Sequence, residues 1–136
     1  MKAENLMIGD YVLYNGIPMK VYAISIPMPD SNEHFNNKER VTLWCNGLID
    51  ATTDDIEPII ITEEMLRANG FKEREQKHCY VKGKLYVKWL DKISMVVVDR
   101  VVTQSQLTYI PKYIYTWHTL QHVFRILTDE YLGFEL

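Results

Sequence analysis

"DYVLYNGIPMKVYAISI", residues 10–26, decides how this chain folds. Four β-formers, Tyr11 to Tyr14, run into Asn15-Gly16, and a second β-rich run begins at Ile17. Asn and Gly accept positive φ more readily than other residues, so the pair between two such runs marks a tight hairpin turn. The chain therefore begins as antiparallel strands. "RVTLWCNGLIDATT", residues 40–53, repeats the device at Asn46-Gly47. "DDIEPIII", residues 54–61, carries Pro58, which has no backbone donor and so marks an edge or a strand entry. Short strands with tight turns predict a small SH3-like β-barrel or a bent antiparallel sheet over residues 1–60. Between the hairpins, "PMPDSNEHFNNKE", residues 27–39, has too little apolar surface to form an element and reads as a long loop, a place where function often sits.

Thr62 has the character of an N-cap, Glu63 and Glu64 place carboxylates in the first helical turn, and Gly70 ends a short connecting helix. Beyond it, "KHCYVKGKLYVKWLDKISMVVVDRVV", residues 77–102, predicts a three-stranded meander whose first pair turns at Lys82-Gly83. Its apolar run Met95 to Val98 is expected to be the most buried strand. "TQSQLTYIPKYIY", residues 103–115, fits an edge strand or a loop, with Pro111 barring a helix through it. A final helix starts after Thr116 and runs through Leu127 or beyond. The expected fold is α+β: residues 1–60 barrel-like, residues 61–136 a connector helix, an antiparallel sheet and the last helix, packed as one body because the second part is too small to cover its own sheet.

On that last helix Trp117, Leu120, Val123, Phe124 and Leu127 share one stripe, which predicts a core-facing side. His118, Gln121, His122 and Arg125 then point outward. "HTLQH", residues 118–122, spaces two imidazoles as helical zinc proteases do, but Thr119 stands where their general-base Glu belongs, and an outward pair lacks further ligands. The reading assigns no metal ligand, no cofactor and no catalytic residue.

Composition is that of an ordinary soluble protein, with 47% hydrophobic and 24% charged residues. No apolar run reaches the roughly 18 residues that a membrane span needs, and the chain reads as cytoplasmic. Cys45 and Cys79 are too few for a disulfide framework and are expected to be reduced, buried thiols. The net charge of −3 argues against general nucleic-acid binding. It hides a split: residues 1–71 carry 5 Lys/Arg against 11 Asp/Glu, and residues 72–125 carry 10 against 4. That asymmetry serves either to dock the halves or to present a basic face to an anionic partner.

"HTLQHVFRILTDEYL", residues 118–132, resembles the "H-x-L-Q-N-(L/V)-(Y/F)-x-x-L-T-G-E-E-L" ending of a family of uncharacterised small proteins of gut Bacteroidales genomes, their phages and mobile elements. His118, Leu120, Gln121, Leu127, Thr128, Glu130 and Leu132 match it. "LMIGDYV", residues 6–12, and "IEPIIITEEMLRANGF", residues 56–71, are similar to two earlier stretches of that family. His122 replaces its Asn and Asp129 its Gly, so a shared site would involve His118 and Gln121 rather than a histidine pair. The resemblance implies no known activity. The first hairpin is also similar to that of SH3-like barrels, over about 20 residues.

The function expected is a non-enzymatic binding or interaction module, an accessory protein of a phage or mobile element engaging a host protein or a nucleotide. Its surface is the hairpin "KHCYVKGKLYVKW", residues 77–89, in which strand alternation places Lys77, Lys84, Tyr86 and Lys88 on one face, with His118, Gln121 and Arg125 as further binding candidates. The partner would be a protein or an anionic small molecule. The alternative for that hairpin is a solvated strand face whose lysines guard against edge pairing. Alternatives for the protein are an enzyme with a dispersed active site, since no phosphate loop or nucleophile motif is present, and a structural protein of a virion or assembly.

Overall fold

The computed structural model describes residues 1–26, 39–75, 77–99, 107–110 and 113–135, with the backbone alone for 95–99 and 107–110. Two compact units emerge, Met1–Ile59 and Ile60–Leu136. The fold is α+β, built on two antiparallel sheets.

In the first unit, β1 (Tyr11–Tyr14) and β2 (Ile17–Ser25) close on the pair Tyr14–Ile17. Asn15 and Gly16 lie at φ 51° and 77°, so both central residues take the left-handed conformation whose twist suits a two-residue hairpin. β3 (Arg40–Trp44), β4 (Leu48–Thr52) and β5 (Ile56–Pro58) complete the order β4-β3-β2-β1-β5. β4 and β5 are the two edges, so the sheet is open rather than a closed barrel, and a bulge between Val21 and Ala23 bends β2. Pro58 sits on edge strand β5, where its missing donor costs nothing. Val12, Met19, Val21, Val41, Leu43, Ala51 and Ile56 alternate onto one face and form the core with Leu6. The second hairpin closes on Trp44–Leu48, which leaves residues 45–47 in the loop. Cys45 is therefore exposed and not the buried thiol expected from composition.

The second unit opens with α1 (Glu63–Ala68), whose first turn is capped by Thr62 Oγ1 accepting from Met65 N at 3.2 Å. A meander follows: β6 (Lys72–Glu73), β7 (Cys79–Lys82), β8 (Leu85–Trp89), β9 (Ile93–Asp99) and β10 (Leu107–Ile110) pair in sequence order. Residues 113–116 then return along the sheet, with Ile114 bridging Ile93 and Thr116 bridging Ile60. Tyr80, Leu85, Val87, Ile93 and Ile114 are buried, as are Trp117, Leu120 and Phe124 of α2 (Trp117–Thr128), which packs on β8. The expectation that Met95 to Val98 is the most buried run concerns side chains outside the described residues. So do the 27–39 loop, apart from Glu39, and Pro111. No helix among the described residues is long and apolar enough to cross a membrane.

Two further sequence expectations need correction. The β7–β8 hairpin closes on Lys82–Leu85, so its turn is Gly83-Lys84 and not Lys82-Gly83. Gly83, at φ 58°, takes the first central position of the turn, where only glycine is at ease with positive φ and the second residue stays negative. The pairing moves by two residues in total, so each side chain keeps its face. The second correction concerns α2: His118 and Gln121 are buried, while Val123 and Leu127 are partly exposed. The buried face is turned toward His118 because the chain after α2 folds back over it. Gln121 Nε2 donates to Leu132 O at 2.6 Å and Trp117 Nε1 to Gly133 O at 2.9 Å. Leu132 is buried, and Phe134 stands edge-on to Trp117.

Candidate functional site

Antiparallel pairing fixes which β6, β7 and β8 side chains share a face. Val81 is opposite both Lys72 and Tyr86, and Cys79 is opposite Lys88. These residues stand on the side away from α2, because their neighbours Tyr80, Leu85 and Val87 fill the core. Arg74 joins them: its backbone N–H donates to Cys79 O at 2.8 Å and its guanidinium lies 4.9 Å from the Tyr86 ring centre. Lys72, Arg74, Tyr86 and Lys88 thus occupy one sheet face, with exposed Lys84 in the turn at one end and exposed Lys77 in the turn at the other.

Each expected site residue can now be placed. Lys84 and Lys88 are exposed on or beside this face and Lys77 lies at its end. Tyr86 is half-buried with Arg74 over its ring, and Arg74 Nη2 also reaches its hydroxyl at 3.4 Å, so it is no open platform for stacking a base. His118 and Gln121 belong to the packed interior of the second unit and not to a surface site. His118 does meet His122, edge-on at 5.8 Å between ring centres. Arg125 lies over the Tyr131 ring at 4.0 Å and donates to Asp129 O at 3.3 Å, closing the end of α2. Lys72, in the two-residue strand β6, and Arg74, just after it, were passed over by sequence reasoning. The pairing of β6 with β7 is what brings them alongside Lys88.

A second group gathers where α1 meets β6 and β7. The Tyr80 hydroxyl donates to Glu63 Oε2, and His78 Nδ1 lies 3.1 Å from each Glu63 oxygen. Arg67 Nη2 donates to Tyr80 Oη at 3.0 Å and stands 3.6 Å from Glu63 Oε2. His78 N donates to Glu73 Oε2 at 3.2 Å. The hydrogen bond from Tyr80, with help from His78 and Arg67 and against the opposing effect of burial, lowers the Glu63 pKa below the usual 4.5. Burial first, then the Glu63 hydrogen bond and charge, push the Tyr80 phenol up to about 12. One member is half-buried and the other open: the Glu63 side chain is 21% exposed and that of His78 is 55% exposed. Such a group can hold a cation or a proton at its rim. Sequence reasoning took Glu63 only as a first-turn carboxylate, because its partners lie 15 and 17 residues away.

Comparison of the chain with protein-family models, with curated proteins and with solved structures gives no match.

Proposed function

We propose that this chain is a non-enzymatic binding module that engages an acidic protein surface through the outer face of β6–β8. The observation that carries this reading is the pairing that sets Lys72, Arg74 and Lys88 on one face, beside Lys84. Strands lie about 4.8 Å apart, so charges on β6 and β8 are spread over about 10 Å. That is wider than a single phosphate group and suits several carboxylates on a polypeptide. The Arg74 guanidinium over Tyr86 favours this partner over a nucleobase, since it occupies a ring face that base stacking would need. Electrostatic complementarity of this kind sets association rate and selectivity, which is what an interaction module requires.

The first unit fits the same reading as an open SH3-like sheet. Support comes from its strand order, in which β5 returns beside β1 after the 3-10 turn Thr53–Asp55, and from the bulge in β2. The resemblance to small proteins of gut Bacteroidales genomes, phages and mobile elements supports an accessory role directed at a host protein. Asp129, where that family has glycine, takes φ 59°, a conformation that glycine adopts freely.

Calorimetric titration of the chain with an acidic peptide at low and high salt tests the proposal. Lys72→Glu with Lys88→Glu should leave the fold intact and weaken binding at low salt by tenfold or more. Equal affinity in the variant would remove the basic face from the account.

A further inference from the structure

We propose that Glu63, Glu73 and His78 form a binding site for one divalent transition-metal ion of the zinc class. The three come from separate segments, the first turn of α1, strand β6 and the turn before β7. One donor atom from each lies within 4.8 Å of the others. Two donors about 2.1 Å from a shared ion stand roughly 3.4 Å apart at a tetrahedral angle, so the 3.1 Å between His78 Nδ1 and Glu63 already has near-ligand spacing. Small side-chain rotations close the rest.

The donor set chooses the ion. Calcium and magnesium take oxygen ligands, whereas one imidazole nitrogen with two carboxylates suits zinc, cobalt or manganese. Three protein donors would leave a further position for water. Neighbours also orient both carboxylates: Tyr80 donates to Glu63 Oε2, and the His78 backbone N–H donates to Glu73 Oε2. Such outer contacts align ligands ahead of the ion. A proton on Nδ1 can bridge His78 to Glu63; for an ion to bind there, a neutral ring carries its proton on Nε2 instead, and an imidazolium gives one proton to solvent. Arg67 offsets part of the cluster's negative charge, which favours an exchangeable ion over a permanently held one.

The test is calorimetric titration of the untagged, chelator-stripped full chain with zinc chloride, repeated with cobalt to read the absorption of its coordination shell. Glu73→Gln and His78→Gln alter exposed side chains, and circular dichroism checks that both variants remain folded. One ion per chain, with affinity falling tenfold or more in each variant and unchanged in His118→Ala/His122→Ala, is the expected result. No binding to the wild type, a smaller loss in either variant, or loss on removing His118 and His122 overturns the proposal.

Discussion

Tyr80 donates a hydrogen bond to the Glu63 carboxylate, fastening the first turn of α1 to a central strand of the second sheet. Tyr80 is completely buried, and its hydroxyl also accepts from Arg67. Tyr80→Phe keeps the ring in the core and removes only this junction. It should destabilise the protein by about 1.5 to 3 kcal/mol, the usual worth of a hydrogen bond to a charged group. Urea unfolding measures it, and an unchanged midpoint would mean that α1 is held by apolar packing alone.

The same pair makes stability depend on pH at both ends of the scale. Glu63 has a folded pKa below its usual 4.5, so its contribution is present above that value and is lost as pH falls through the lower, folded one. Tyr80 is raised from 10.0 to about 12, so its contribution is present below pH 10 and is lost as pH rises toward 12. Urea midpoints measured across this range with chelator present should fall at both ends, and Tyr80→Phe should remove the alkaline fall attributable to this residue.

The chain after α2 should behave as part of the core. Asn69 Nδ2 donates to Glu135 O at 2.8 Å while Glu135 N donates to Asn69 Oδ1 at 2.6 Å, beside the bonds from Trp117 and Gln121. Gln121→Ala leaves the Leu132 carbonyl without this donor and should cost about 1 to 3 kcal/mol. Leu120→Ala opens a cavity at a fully buried position and should cost about 2 to 5 kcal/mol. Thermal unfolding of both variants checks the order; a negligible effect of Gln121→Ala would place that side chain back on the surface.

Asp129 closes α2 in the left-handed conformation at φ 59°. Glycine holds that conformation without a Cβ clash, at some entropic cost in the unfolded chain. Asp129→Gly should therefore raise stability by a few tenths to about 1 kcal/mol. Differential scanning calorimetry reads the sign.

What was legible in the sequence was local. Asn15-Gly16 announced its turn because two adjacent residues supply both positive φ values, and Thr62 announced its cap because donor and acceptor are three residues apart. What was not legible depends on pairing across distance. Helical periodicity alone placed His118 and Gln121 outside, because nothing in that stripe encodes the return of Leu132 and Gly133 over the helix. Lys72 and Arg74 join the basic face only once β6 pairs with β7, and a two-residue strand carries no periodic signal. The hairpin faces survived a wrong turn assignment, since a shift of two residues preserves alternation.

The central claim is that the outer face of β6–β8 takes an acidic partner, and amide chemical-shift mapping during titration with an acidic peptide tests it most directly. The account predicts shifts concentrated at Lys72, Arg74, Val81, Lys84, Tyr86 and Lys88, fading as salt screens the charges. Saturable shifts confined to the first unit, or no shifts at low salt, would contradict it.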